Sequence, residues 1–417
     1  MTISRYFNQS VLPPLKPQSL AMIAILAGLT SLAPLSIDSI LPAIPTFIAT
    51  MGATPAEAQW TISFFLLGFG GGQLVWGVLA DRYGRRTISL VGLFFFALTT
   101  LGSVISPTIH ILTVLRVLQG LAGAAMSVVP RAIIRDLFDR ETGARILSMV
   151  LLMMNMAPIL APILGGYMLV LWGWRSIFVI TGGVTLLVFI IFILRVPETL
   201  EPAERRPLRP MAILTAYGWV LRNRVCTSHM LVTSCAFSGF FAYVTGSPLV
   251  FVHIFGFSEN EYGYLFALTA GALMLANISN SRFLKKVRSA QMLKLGVAMV
   301  TIGGIAIGVV TFGGVPSITA FMGAIMIYVF GAGLIFPNAV AAGLEPVGSL
   351  AGTAAALMGS VQLLAGTLMS AIVARLYDGT THAIGIAMTV MAACALLVFL
   401  FGIPKDSGAV KAPQPTS

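Results

Sequence analysis

Apolar positions along this chain neither alternate nor fall on one face at three- and four-residue spacing; they run on in repeated unbroken stretches. Each stretch holds about 20 residues, enough at about 1.5 Å per residue to cross a hydrocarbon core of about 30 Å. Twelve spans are predicted, at 20–48, 59–79, 87–106, 108–130, 144–170, 174–195, 225–252, 261–281, 291–313, 316–342, 348–374 and 383–403. Their length, their glycine content and the lack of an alternating polar face predict helices rather than the strands of a membrane barrel. The first stretch is too long for a signal peptide and no small-residue cleavage site follows it, so it is expected to remain as span one.

Composition agrees with that reading. Of 417 residues, 57% are hydrophobic and 9% charged, with a mean hydropathy of +0.94. A water-soluble domain carries about 25% charged residues, so most of this chain is dissolved in lipid. A net charge of +11 is compatible with a nucleic-acid partner, but its placement argues otherwise. With the N-terminus inside, 22 of the 25 basic residues fall on the inner side, leaving Arg175 and Arg375 outside and Arg116 within span four. That asymmetry predicts both termini in the cytoplasm, with the basic clusters meeting lipid headgroups and no nucleic acid as partner. Cys226, Cys235 and Cys394 have no metal-ligand spacing and read as packing residues, and the four histidines form no cluster. No metal is expected. The absence of a GxxxxGK[ST] loop excludes a nucleotide-driven pump of that type, and no hydrolytic constellation marks an enzyme.

PETLEPAERRPLRP, residues 197–210, is the richest run of proline and charge and cannot form a membrane helix. It divides the chain into a six-helix bundle at 1–196, a cytoplasmic linker at 197–212, a second bundle at 213–404 and a disordered cytoplasmic tail at 405–417. DRYGRR after span two and SRFLKK after span eight lie 200 residues apart, matching Arg82 to Arg282 and Arg85 and Arg86 to Lys285 and Lys286. The match reads either as two similar positive loops or, with the linker, as duplicated bundles of the kind that place a substrate cavity at mid-membrane depth.

Two ionisable residues stand well inside spans. Asp38 is the only one between Leu20 and Ile48, in LAPLSIDSILPAIP, and Arg116 lies in LTVLRVLQGLAGAAM of span four. Counted along ideal helices, Asp38 lies about 15 Å and Arg116 about 12 Å from the outer end, so the two can share a level. Burial disfavours a charged carboxylate and a nearby cation favours it, which makes Asp38 a candidate for changing protonation as the site dries and wets, with Arg116 as partner. Pro34 is expected to open the backbone and let span one bend. The competing reading fixes the Asp38 carboxylate locally on Ser36 or Ser39 at the outer interface.

GVLADRYGRR, Gly77 to Arg86, reads either as a helix stop with topology charges or as a conformational latch built from Gly77, Asp81, Arg82, Gly84 and Arg85. In the latch reading Asp81 accepts from Arg131 or Arg135 at the inner end of span four, or sits by a helix N-terminus. The loop resembles the signature loop of the major facilitator superfamily, and the resemblance implies an all-α membrane protein of twelve transmembrane helices in two pseudo-symmetric six-helix bundles, working by alternating access. Arg116 and the QG that follows resemble the helix-four motif of proton-coupled members. NMAPILAPILGGYML, Asn155 to Leu169, sets Ala157, Ala161 and Gly165 at spacing four beside Pro158, Pro162 and Gly166. This small-residue seam resembles the antiporter motif of helix five, with Ala161 where the motif usually has glycine.

LSIDSILPAIP, with QWTISFFLLGFGGGQLVWG, AYVTGSPLVFV and EYGYLFAL, resembles the bicyclomycin and chloramphenicol resistance branch of drug:proton antiporters. The resemblance implies a small-molecule substrate exported against protons, the proton gradient as energy source, no bound cofactor and a monomer. Asp38, Asn155, Phe237, Phe241 and Tyr243 are the expected substrate contacts, since aromatic and methionine surfaces adapt to varied apolar ligands. The alternative is a transporter of one metabolite such as a nucleoside, an amino acid derivative or a sugar. The scarcity of polar residues in the spans leans toward drugs. A non-transporting receptor leaves Asp38 and Arg116 without purpose.

Overall fold

The computed structural model describes residues 12–205, 207, 210–313 and 317–403. The expected tail at 405–417, together with Arg5, Arg206 and Arg209, lies outside the described residues. Span one is two helices, α1 (Leu20–Asp38) and α2 (Ile44–Met51), joined through a 3-10 turn at Leu41–Ala43. It is followed by α3 (Pro55–Tyr83), α4 (Arg85–Val104), α5 (Ile109–Leu137), α6 (Arg140–Trp172) and α7 (Arg175–Arg195). A shorter helix, α8 (Pro210–Arg222), leads into α9 (Arg224–Leu249), α10 (Glu259–Phe283), α11 (Ser289–Phe312), α12 (Ile318–Leu344), α13 (Ala351–Leu376) and α14 (His382–Leu397). With α1 and α2 counted as one span, twelve helices are long and apolar enough to cross a membrane, and no strand occurs among the described residues.

Several helices run past their apolar stretch because the polar ends are capped. Ser19, Thr108, Asp139, Asn223 and Ser317 each precede a helix and accept from a backbone amide of its first turn. The Thr142 and Glu141 amides hold the Asp139 carboxyl below the usual carboxylate range. Arg175, which the charge count leaves on the outer side, donates to the Val104 carbonyl at the end of α4 and lies over the Trp174 ring. Its position is thus explained by a helix end rather than by topology.

The chain forms two compact units. The first comprises Met1–Ala53, Phe64–Leu208 and Glu259–Tyr264; the second Thr54–Ser63, Arg209–Ser258 and Leu265–Ser417. Within the first, α1 packs on α5 and α6, and α4 on α5 and α7. Within the second, α9 packs on α12 and α13, and α11 on α12 and α14. Every pair in the first unit thus recurs six spans later, as the duplicated loop implies. The start of the expected linker is not free, because Thr199 and Leu200 are buried.

Small residues bring the helices of each unit into backbone contact. A Cβ on Gly120 of α5 would overlap the Phe65 carbonyl of α3, and one on Gly68 would overlap the Val117 carbonyl. In the second unit a Cβ on Gly303 would stand 2.6 Å from the Tyr328 amide nitrogen, and one on Gly331 2.7 Å from that of Val300.

Gly120→Val is therefore expected to push α3 from α5 and lower stability by about 1–3 kcal/mol, the usual cost of overpacking. Gly71→Ala, where a Cβ meets nothing within 4 Å, is expected to leave the unfolding midpoint unchanged or raised. Thermal unfolding of the two purified variants in detergent, followed by tryptophan fluorescence, checks the contrast.

Candidate functional site

The first span breaks directly after Asp38. Pro42 has no amide hydrogen to donate to the Asp38 carbonyl, and Pro45 likewise cannot donate to Leu41, so the α-helical ladder stops. The chain tightens into the Leu41–Ala43 turn and resumes as α2. Pro34, expected to open the helix, instead lies inside the uninterrupted α1. The hinge thus belongs to the prolines after the acid and not to the one before it. Asp38 is 8% exposed. Among the described residues its carboxylate has no hydrogen bond or ion pair, and Ser39 Oγ beside it is buried without a partner. Local fixing by Ser36 or Ser39 is therefore absent.

Ser36 serves the arginine instead. Arg116, fully buried on α5, donates from Nη1 to Ser36 Oγ at 2.8 Å and to Gln119 Oε1 at 2.6 Å. Gln119 Nε2 donates to Thr100 Oγ1 at 2.6 Å, and that hydroxyl donates to the Phe96 carbonyl. The guanidinium also lies 4.4 Å from the centre of the Phe65 ring. The Ser36 bond puts Arg116 within a helical turn of Asp38, as depth counting predicts, yet the two do not form an ion pair. Thr100 and Phe65 carry no mark in the sequence and Ser36 reads there as a partner of Asp38, because nothing local marks a hydroxyl that meets a distant arginine.

Pro158 and Pro162 lie inside a continuous α6. Gly165 packs so tightly on the Ser39 carbonyl that a Cβ there would overlap it, which sets the helix-five seam against the break beside Asp38. On the next residue, Gly166 faces Asn260, and the Tyr167 and Tyr264 hydroxyls bond at 2.7 Å.

The DRYGRR loop carries a different ion network from the expected one. Asp81 pairs with Arg85 at 2.6 Å rather than with Arg131 or Arg135, and Arg85 Nε also reaches Asp136 at 3.0 Å. Arg131 and Arg135 lie on the exposed face of α5, whereas Asp136 lies on a half-buried one. Arg82 is exposed, and Gly77 makes ordinary contact with Val128. The helix N-terminus at this loop is capped by Glu198, whose carboxylate accepts from the amides of Arg85 at 2.7 Å and Arg86 at 3.2 Å. A carboxylate is favoured there by the helix dipole and the unpaired amides of the first turn. Gly84 is required twice, by its φ of +100° and because a Cβ would strike Glu198. Arg86 completes the joint by donating to the Val196 and Ile193 carbonyls, each at 2.8 Å.

The equivalent place in the second unit is neutral. Asn338 donates to Asn280 at 2.6 Å and accepts from Ser289 at 2.7 Å. In the same unit Phe237, Phe240, Phe241 and Phe336 form an aromatic cluster, with Phe237 and Phe241 centred 4.4 Å apart. Tyr243 is fully buried, stacked on Phe266, with its hydroxyl 3.2 Å from Thr269. Asn155 lies half-buried on α6 of the first unit. Among the described residues no three of His, Cys, Asp or Glu gather as a metal site.

Comparison with known proteins adds an independent line. The sequence profile of the Major Facilitator Superfamily matches residues 26–370. The chain is 31% identical over 382 residues to the bicyclomycin resistance protein homolog of Haemophilus influenzae, covering 91% of this chain and 95% of that one. It is 27% identical over 374 residues to multidrug resistance protein D of Escherichia coli, covering 87% and 90% respectively. In fold it is similar to the crystal structure of a D-xylose-proton symporter, with a TM-score of 0.70 at 16% identity over 94% of this chain and 99% of that one.

The capping geometry sets a test. Glu198→Ala leaves two first-turn amides of α4 without an acceptor and is expected to cost about 1–2 kcal/mol of stability. Gly84→Ala is expected to cost at least as much, about 1–2 kcal/mol from the positive φ alone. Unfolding midpoints in detergent measure both.

Proposed function

The chain belongs to the Major Facilitator Superfamily, and from that premise we propose that it is a proton-coupled antiporter exporting amphipathic small molecules across a bacterial inner membrane by alternating access. The superfamily is one of transporters of small molecules and not of enzymes, and the twelve spans make this a multi-pass membrane protein. The observation that carries the finer reading is Asp38: a buried carboxylate, without a partner among the described residues, at a break in a membrane-spanning helix.

A carboxylate so enclosed is costly in its charged form unless water or a cationic group reaches it. Asp38 takes a proton when its surroundings open to the outside and yields it when bound substrate competes from the inside. Reciprocal displacement of one by the other is enough for exchange, since coupling between two ligands is mutual. Arg116, held on Ser36 and Gln119, supplies a fixed positive charge nearby that helps the carboxylate release its proton. The break at Asp38 lets α1 and α2 move against each other, with Gly165 as the bearing surface. The Asp81–Arg85–Asp136 joint and the Glu198 cap, with Gly77, Arg82, Arg131 and Arg135 around them, hold the inner ends of α3, α4 and α5 as a latch.

Phe237 and Phe241, backed by Tyr243, offer an apolar surface, and Asn155 a polar contact among the exposed Met149 and Met153. Such surfaces suit varied amphipathic ligands better than one sugar. The names of the bicyclomycin and multidrug resistance relatives support the same substrate class. The distribution of basic residues supports cytoplasmic termini and contact with anionic lipid, and the protein is taken to work as a monomer.

The wild-type protein in detergent is expected to release protons when an exported drug is added, and Asp38→Asn is expected to abolish that release. Full release from Asp38→Asn overturns the role of the acid. In a host stripped of its own exporters, expression is expected to raise resistance to several unrelated compounds, and an uncoupler to remove it. Metabolite flux with no shift for any drug would instead identify a metabolite carrier.

A further inference from the structure

Cysteines in the second unit read from sequence as unrelated packing residues, but the pairing of α9 with α14 brings two of them together. Two contacts set the register. Ser228 Oγ donates to the Gly402 carbonyl at 2.7 Å, and a Cβ on Gly239 would lie 3.4 Å from the Met391 Cβ. As numbers rise along α9 their partners fall from Gly402, just past the end of α14, to Met391 within it, so the helices are antiparallel. Cys235 is one helical turn before Gly239, and Cys394 one turn after Met391. Both therefore lie on the facing stripes at the same level. Tyr328 of α12 closes one side, its hydroxyl donating to the Ala236 carbonyl at 3.2 Å. Cys235 and Cys394 are each half-buried, whereas Cys226 is buried. An apolar reagent dissolved in the bilayer can thus reach them.

From this register we propose that Cys235 and Cys394 form an intramembrane dithiol site for trivalent organoarsenicals, a class of soft electrophile that binds two neighbouring thiols at once. Sulfur is the preferred donor for soft centres. With phenylarsine oxide the arsenic–oxygen linkage is exchanged for two arsenic–sulfur bonds, one to each cysteine. The oxygen leaves as water carrying both thiol protons; arsenic stays trivalent and no oxidant or reductant is needed. The product staples α9 to α14 in the register described. The site is independent of Asp38 and of the direction of transport, so it stands or falls apart from the antiporter reading.

The test treats the full-length protein in detergent with phenylarsine oxide and weighs it intact. A single adduct with loss of one water per chain is expected, removed by 2,3-dimercaptopropanol but resistant to 2-mercaptoethanol. Cys235→Ser and Cys394→Ser, or the corresponding alanine variants if serine disturbs folding, are each expected to lose the adduct, and Cys226→Ser to keep it. In the wild type the adduct is expected to protect two thiols from N-ethylmaleimide. An adduct that persists without Cys235 or without Cys394 overturns the proposal. So does a folded wild-type protein, helical by circular dichroism, that takes none.

Discussion

Pro42 carries no amide hydrogen, so the carbonyl of Asp38 four residues earlier loses its helical partner, and in hydrocarbon an unmet backbone group is costly. Irregular backbone at membrane depth survives only where other protein covers it. Here the cover is α6, which comes close because residue 165 is glycine and its backbone rests on the Ser39 carbonyl. The seam of small residues on α6 and the buried acid on α1 are therefore one structure. A side chain at 165 would lift α6 from the break and leave the carbonyls beside Asp38 facing lipid. The same constraint explains why Arg116 is so fully enclosed by Ser36, Gln119 and Phe65. A buried guanidinium needs acceptors, and Ser36 and Gln119 provide two of them. Among the described residues Asp38 has no ionic partner, although Arg116 lies within a helical turn of it.

The two units share helix pairings but differ in the chemistry of their joints. At the inner end of the first, Arg85 is 3% exposed yet meets both Asp81 and Asp136, with Glu198 against its backbone. At the matching place in the second, Asn280, Asn338 and Ser289 make a neutral network. A buried arginine with two carboxylates is costly to separate once formed, whereas neutral amides exchange partners more readily. The two units thus share helix pairings while their polar networks differ.

Much of the fold was legible in the chain. Span number and the small-residue seam follow from local composition, and both are present in the structure. Less of the site was. Asp38 and Arg116 stood out because charges are rare in spans, but their partners did not. Asp81 was matched with arginines on the wrong face of α5, since charge and proximity in sequence say nothing of helix rotation. Glu198 was hidden in a proline-rich run that reads as linker, although PET follows the end of a span. Pro34 drew attention because it precedes the acid, whereas the break obeys the prolines that come after it.

By itself, then, the sequence determined how many times the chain crosses the bilayer and that Asp38 and Arg116 are enclosed within spans. Those are one-dimensional properties, set by runs of hydropathy and by loop charge. Only the tertiary structure decided which groups meet at each site: Ser36 with Arg116, and Glu198 with the start of α4. Such meetings depend on the rotation and register of helices distant in sequence, which close packing of small residues fixes and no local pattern encodes.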